Sequence, residues 1–412
     1  MAALRQRAVT RGSGVTPSMR HSLPLVSLLL PLLLSCGDTT GPGPAIVPLP
    51  GTLAVGASHA CHVAGSGTLY CWGRGAEGQL GRGQLEASPL PPDAVFDAAA
   101  FKSVVAGRNH TCALDAEGAA WCWGSNALGQ LGIDAAAQVA CGAAACSPAP
   151  ARVVGDRRFV TLAAGDQFTC GLEAEGTAWC WGLGDVGQLG QPITNVCGGN
   201  RCSFVPIQVQ GTHRLRTLSA GLGHVCGLTE DGEAVCWGYN DQGQLGQGDR
   251  VSSAVPRIVP GNEHFVQVSA GGLHTCAVSA AGAAWCWGID AIGAGPTILE
   301  SNDPVAVTGG STYTQVESGR VSTCGVRSDG LIDCWGTNLS GEMGFPEEEI
   351  HVPVPAPRRT DSSRRFEFII GEFQTYCGAD AAGGVWCWGA GTQGQLGSGS
   401  GDNSEPVEVF IP

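Results

Sequence analysis

Charge is scarce in this sequence of 412 residues, and basic charge is the scarcer: Asp, Glu, Lys and Arg make up 14% of it, with 22 Lys and Arg against 36 Asp and Glu. Four of the basic residues, Arg5, Arg7, Arg11 and Arg20, fall in the first 35 positions, where there is no acid. The remainder is therefore more acidic than the overall net charge of −14 indicates. Affinity for phosphate backbones comes largely from Lys and Arg, and the field of such a chain repels them, so nucleic-acid binding is not expected. H-E-x-x-H, G-x-S-x-G and Walker A patterns are missing, and no Ser/His/Asp set or carboxylate pair stands out. That leaves no catalytic residue, cofactor site or enzyme activity to expect from local motifs. A site assembled from separate segments around a channel would leave no such trace.

Long apolar runs are missing too. The longest, in "LPLVSLLLPLLLSCGDTT" from Leu23, has about a dozen apolar residues, short of the roughly 20 that a spanning helix needs. Behind a basic lead it reads as a signal peptide over residues 1–35, starting at Met1 or at Met19, since "MRHS" is a sufficient lead by itself. Leu33-Leu34-Ser35-Cys36 resembles a bacterial lipobox, whose cysteine is acylated and heads the mature lipoprotein, although Leu34 is bulkier than the residue usual there. An unmodified Cys36 behind a cleaved peptide, or a buried N-terminal strand, is the alternative. Residues 36–49 then form a flexible tether, and several acyl chains hold a protein stably at a membrane. The expected location is the bacterial envelope, outside the cytoplasm.

What is abundant is Gly, 64 residues, together with 11 Trp and 19 Cys. A Gly-rich chain with little charge suits short strands and tight turns. Its Cys and Trp recur in a unit: Gly, often His, Cys, nine residues, Cys-Trp-Gly, then Gly-Gln-Leu-Gly, a variable loop and a Pro/Val segment. Cys-Trp-Gly begins at Cys71, Cys122, Cys180, Cys236, Cys286, Cys334 and Cys387, a period of about 50 residues. Gly-Gln-Leu-Gly decays to Glu342-Met343-Gly344 in unit six and is lost in unit five. Runs such as "HTCAL" and "AAWCWG" flank a turn at Asp115–Gly118, a hairpin signal. With one segment before and one after, each unit offers four strands. Both hairpin faces are apolar, so each sheet must be covered on both sides. The expectation is an all-β, seven-bladed β-propeller over residues 50–412. Its first blade is expected to be completed by the orphan C-terminal segment Pro406–Val409, which removes an open edge.

The cysteines pair by spacing as Cys61/Cys71, Cys112/Cys122, Cys170/Cys180, Cys226/Cys236, Cys276/Cys286, Cys324/Cys334 and Cys377/Cys387, always ten apart. Such positions fall opposite each other in a hairpin, where a disulfide fits. Cys141/Cys146 and Cys197/Cys202 make two further pairs inside blade loops, and Cys36 alone is left over, which acylation explains. Nine disulfides require an oxidising compartment. Metal is the rival reading, because His59, His110, His224 and His274 lie two residues before a Cys. The equivalent Phe168, Ser322 and Thr375 would not serve such a site, and the histidines read as hydrogen-bonded structural side chains. Trp121, Trp179, Trp285 and Trp386 add to the seven Trp of Cys-Trp-Gly. Such an array can stack sugars or bases, but a propeller needs large side chains between blades in this place.

These units resemble the repeats of the regulator of chromosome condensation family, with its His-Ser/Thr segment, Trp-Gly and Gly-Gln-Leu-Gly, over roughly residues 50–412. The resemblance implies a seven-bladed propeller and a range of functions. The family's founding member is a nuclear guanine-nucleotide exchange factor that binds chromatin, and an exported bacterial relative similar in fold, β-lactamase inhibitory protein II, blocks an enzyme with one face. Exchange activity is disfavoured by export, and a fold does not carry function by itself. The loops after Gly-Gln-Leu-Gly vary most: 133–150, 191–205 and 345–365. Equivalent loops emerge on one side of a ring, and a rigid scaffold with one diversified face suggests protein recognition. The expected role is a monomeric, non-catalytic protein-binding scaffold anchored by lipid. The alternatives are an inhibitor of an extracytoplasmic enzyme or a propeller hydrolase or lyase. Arg358, Arg359, Arg364 and Arg365 form a basic cluster that is either a solvated loop or a docking point for an acidic partner.

Gly73-Arg-Gly75-Ala-Glu-Gly78 matches the dinucleotide fingerprint G-x-G-x-x-G. It recurs at Gly182–Gly187 and Gly389–Gly394, and Asn126, Asn240, Asp290 or Asn338 replaces the middle Gly elsewhere. A phosphate loop needs Gly there and a helix after it. The stretch reads instead as a strand-end turn whose middle residue tolerates a left-handed backbone.

Overall fold

The computed structural model describes residues 51–412 apart from 96–99, 143 and 400, and apart from the side chains of residues 87 and 88. The signal segment, Cys36 and the tether lie outside the described residues. Seven antiparallel sheets follow one another along the chain, each built from consecutive strands. The four strands common to every blade are, in blade 2, Phe101–Ala106 innermost, then His110–Asp115, Ala120–Ser125 and the outer Ala144–Arg152. Its central hairpin sets Cys112 opposite Cys122, and its turn is held by Asp115, whose Oδ1 accepts from the Ala119 N–H at 2.8 Å. The other hairpins keep this register, so each ten-apart Cys pair faces across two strands with Cα atoms 4.0 to 4.2 Å apart. The sulfurs lie within bonding distance, and a bridge closing so short a loop stabilises by about 2–3 kcal/mol.

The ring closes differently from the sequence expectation. Asn403–Glu408, which contains Pro406 and Val407, is the outer strand of blade 7, where Val407 pairs with Cys387. Blade 1 supplies its own outer strand, Glu86–Ala94. Closure therefore rests on side-chain packing: Leu53, Val55, Ala60 and Trp72 of blade 1 share a core with Phe368, Val385, Leu396 and Val409 of blade 7. One such core lies between every neighbouring pair of blades, and the last is built like the first six. With every sheet complete, strand exchange is not needed to cover an edge.

Each interface packs a Trp of one blade on the Gln-Leu-Gly turn, or its equivalent, of the blade before, and in six of the seven the indole N–H bonds its first carbonyl, Trp181 being the exception. The Nε1 of Trp123 donates to the Gln79 carbonyl at 2.9 Å, and Trp72 reaches Gln395 across the closure at 2.8 Å. In the blade where the motif looked lost, Ala291-Ile292-Gly293 takes its place, and the Ala291 carbonyl accepts from Trp335. The Gln79 carbonyl also accepts from the Thr111 hydroxyl, which in turn meets His59 Nε2 at 2.8 Å. Since the hydroxyl proton goes to the carbonyl, Nε2 must donate its own, which leaves Nδ1 as a bare acceptor. His110, His224 and His274 make the same contact with the next blade's Thr169, Thr275 and Thr323. Burial holds all four imidazoles neutral, His59, His224 and His274 down to about 3 and His110 to about 4.

The Gly of Cys-Trp-Gly has a positive φ in every blade, and a Cβ on Gly124 would lie 2.5 Å from the Asn109 carbonyl oxygen. The final Gly of Gln-Leu-Gly lies flat against the next Trp: a Cβ on Gly246 would come within 2.8 Å of Trp287. The middle position of the false fingerprint is another matter. Only Asp290 is left-handed there, with φ 73°. Asn126 and Asn240 are selected for their side chains, whose Oδ1 accepts from the N–H of Leu131 and Leu245 in the following turn.

Candidate protein-binding face

Antiparallel connectivity gives the ring two unlike faces. The inner-to-second and third-to-outer connections emerge on one, here called the loop face. The hairpin turns and blade-to-blade connections emerge on the other, the hairpin face. The Gln-Leu-Gly turns, which repeat, support the loop face and hold it at fixed spacing. Gln130 Oε1 accepts from the Leu128 N–H, and Gln188 Oε1 from Val186.

Blades 2 and 3 depart from this repeat on the loop face. Val139–Cys141 and Val196–Cys197 each add a short fifth strand that folds back on the outer strand. Cys141/Cys146 and Cys197/Cys202 close these hairpins, with Cα atoms 5.8 and 5.9 Å apart. The inner member of each pair, Cys146 or Cys202, is buried. Asp134 begins the first excursion by capping Ala136, and Asp185 Oδ1 accepts from the Arg201 N–H beside the second. Both excursions start after a Gln-Leu-Gly turn and rejoin a serine whose hydroxyl bonds its own strand, Ser147 to Ala149 and Ser203 to Val205. Blade 4 makes the same connection with the short stretch Gln247–Ser252, rejoining at Ser253, which bonds Val255.

Apolar side chains stand out of these loops. Val196 and Val251 are 67% and 64% exposed, Val139, Ile298 and Leu299 are exposed in the same connections, and Phe204 and Val205 are exposed on the outer strand of blade 3. The third-to-outer loops of blades 2 to 5 carry Asp134, Asp185, Asp241, Asp249 and Asp290, against Arg201 and Arg250. Arg250 is engaged by Glu300 at 3.0 Å, and Arg201 is exposed. The face is thus apolar and acidic together.

Of the four arginines singled out in the sequence, Arg359, Arg364 and Arg365 lie elsewhere, while Arg358 reaches back to the loop-face segment. Residues 345–352 belong to the loop face, but Pro353–Arg359 is the outer strand and carries the chain across to the hairpin face. Arg365 donates to the Asp329 carbonyl in a hairpin turn. Arg364 lies 3.1 Å over the Trp386 ring and bonds Asp380 at 3.2 Å. Arg358 pairs with Glu349 and lies over Phe345, and Arg359 is exposed. The sequence grouped them with the diversified loops because an intervening strand reverses the end of the sheet unseen. Trp179 and Arg157 repeat the Trp386 and Arg364 arrangement, at 3.0 Å, beside a surface depression of about 390 Å³ lined by Asp156, Arg158 and Glu175. This too is on the hairpin face.

The channel mouth on the loop face is crossed by charge. Arg108 of blade 2 bonds Asp166 of blade 3 at 3.0 Å and approaches the ring of Phe373 of blade 7. Burial raises the Asp166 carboxyl, opposed by Arg108 and Arg320. Deeper in, Glu317 is pushed up to about 8 by burial, opposed by bonds from Gln315 and Ser269. Glu372 is raised well above its ordinary range by burial and then by Glu317 and Asp166. Groups from opposite sides of the ring thus meet here. These acids were not legible in sequence, since the blades that bring them together are far apart along the chain.

Fold and site define a seven-bladed propeller with one diversified face, and comparison with known proteins places it more closely. The model of the RCC1-like domain matches residues 45–308 and that of the regulator of chromosome condensation repeat matches 382–412. The chain belongs to this RCC1-like family. It is 33% identical to the ultraviolet-B receptor UVR8 of Arabidopsis thaliana over 208 residues, 49% of this chain and 44% of the receptor. It is 31% identical to the human E3 ubiquitin-protein ligase HERC2 over 48% of this chain and 4% of that protein. The alignments therefore span less than half of either relative. Among solved structures, Prp20p of Saccharomyces cerevisiae, described with its binding to Gsp1p and histones, superposes with a TM-score of 0.70. That match has 22% identity and covers 83% of this chain and 85% of Prp20p. Human WBSCR16 gives 0.68 at 20% identity, over 78% of this chain and 84% of that one. At these identities the superpositions establish the fold.

Proposed function

We propose that this propeller is a non-catalytic scaffold that binds a partner protein through its loop face, on the outer side of a cytoplasmic membrane to which Cys36 ties it. The observation that carries the reading is the one-sided departure from the repeat. Interfaces between blades are built alike around the ring, while the two clamped hairpins and the exposed Val139, Val196 and Val251 occur on one face. Rigid repeats that present variable loops are suited to recognition. The yeast relative solved in complex with Kap60 is likewise a propeller with a protein partner.

The test keeps the three inner strands and the Gln-Leu-Gly turn, or its equivalent, of every blade. Residues 133–146 and 191–202 are each replaced by the blade 4 sequence Gln-Gly-Asp-Arg-Val-Ser, which joins the same two turn positions and removes both loop cysteine pairs together. A partner captured from envelope extract by the native chain is expected to bind the double graft at least tenfold more weakly. Equal capture by a folded graft would overturn the reading. Anchoring is tested separately by palmitate labelling in the parent cell. Label is expected on the native chain and lost in Cys36→Ser, and its retention by that variant would refute the anchor.

A further inference from the structure

We infer that the loop face over blades 2 to 5 receives a basic protein segment that itself carries apolar side chains. The inference rests on the protein-binding reading above and names the chemistry of the partner.

Val139, Val196, Val251 and Leu299 come from four successive blades, and the turns between them pack on one another. A Cβ on Gly129 of blade 2 would meet Phe204 of blade 3 at 2.8 Å, and one on Gly187 of blade 3 would meet Ala254 of blade 4 at 2.6 Å. The exposed apolar groups therefore stand on one continuous, rigid surface. Apolar residues gathered in this way on a soluble domain mark a contact surface, whereas scattered ones do not.

Charge decides what covers it. Among the described residues no arginine or lysine side chain pairs with Asp134, Asp185 or Asp241 of these loops, Arg250 is taken by Glu300, and the acids outnumber the two arginines, Arg201 and Arg250. A cationic segment gains both from the field and from burying its own apolar groups, while complementary charge speeds encounter and rejects anionic competitors. An anionic bilayer would be repelled. So would the same face of a second copy, since like charges would then be brought together.

The probes are three labelled peptides of equal length, alternating Lys-Leu, Lys-Ser and Glu-Leu, titrated against the full chain by fluorescence anisotropy. Lys-Leu is expected to bind at least tenfold more tightly than either control, and to weaken as salt is raised. Val196→Ser with Val251→Ser removes two exposed groups without touching the core, and should weaken binding three- to tenfold. Asp185→Asn with Asp241→Asn should do likewise. Equal binding of the three peptides, a preference for Glu-Leu, or indifference to both double variants would overturn the inference. Tighter binding to phosphatidylglycerol vesicles would assign the face to membrane. A sedimenting dimer lost in the valine variant would assign it to a second copy, and either result overturns the proposal. Partner capture that depends on the grafted loops without any preference for Lys-Leu would leave the scaffold reading intact and remove only the partner's chemistry.

Discussion

Replacing Trp237 by alanine is expected to destabilise the ring by about 4 kcal/mol or more, well beyond any loop substitution. The indole is fully buried in the core between blades 3 and 4, among Cys170, Cys180, Leu189 and Val235. Truncating a buried aromatic costs about 3–5 kcal/mol in lost transfer and cavity terms. Its Nε1 also donates to the Gln188 carbonyl at 3.1 Å. Blade 4 has Val225 where its neighbours place the threonine that shares this carbonyl, so no hydroxyl takes over the bond. An unsatisfied buried carbonyl adds to the loss. Trp179, which precedes its Cys where Trp237 follows one, is half-buried at the rim and bonded to Glu173. Its replacement by alanine should cost about 1–2 kcal/mol, mostly the stacked Arg157 and the rim contact. Thermal unfolding of the two variants checks the ordering. Equal losses would mean that the interface Trp does not hold the blades together.

Glu317→Gln is expected to stabilise the protein at pH 8 and to change little at pH 5. Burial holds the Glu317 proton up to about 8, whereas the unfolded chain releases it near the ordinary 4.5. Between these values the folded state binds the extra proton, so stability is fully present below about 4.5 and falls as pH rises towards 8. Glutamine carries no such proton and still offers an acceptor to Gln315 Nε2. The gain at pH 8 should be on the order of 2–4 kcal/mol. The four buried histidines act in the opposite sense. Their folded values lie below the ordinary 6.5, so their contribution is present above that value and lost as pH falls below it. Glu372, facing Glu317 and Asp166, adds to the alkaline loss. Calorimetric midpoints of native and variant at pH 5 and pH 8 test the sign. A variant less stable than the native chain at pH 8 would show that Glu317 is charged in the folded protein.

The blades were legible because their signals are local. Cys-Trp-Gly and the Cys ten residues before it lie on one hairpin, and alternation alone puts Trp123 and Cys122 on opposite faces. Contacts between blades were not legible, since Trp237 and Gln188 are a whole repeat apart and the acceptor is a backbone carbonyl that any residue supplies. Hence Ala291 could replace Gln without a trace. The interface does leave a paired signal. Where blade 3 has Phe168 instead of His, blade 4 has Val225 instead of Thr, and where blade 6 has Ser322, blade 7 offers Tyr376, whose hydroxyl meets it at 3.3 Å. Reading the repeats side by side with an offset of one blade would have found it. Closure by Pro406–Val409 was misassigned because a lone Pro/Val segment at the end of the chain looks orphaned. Its true partner, the strand Val385–Gly389, is its immediate neighbour in sequence. The acids at the channel mouth, Asp166, Glu317 and Glu372, depend on ring geometry alone.

The most direct test of the loop face is the dissociation constant of the captured partner for three folded chains: native, double graft and Arg359→Ala with Arg365→Ala on the hairpin face. Recognition by the loops predicts at least a tenfold weakening in the graft and an unchanged constant in the arginine variant. The reverse, a graft that binds like the native chain and an arginine variant that does not, would contradict it and move the partner to the other side of the ring.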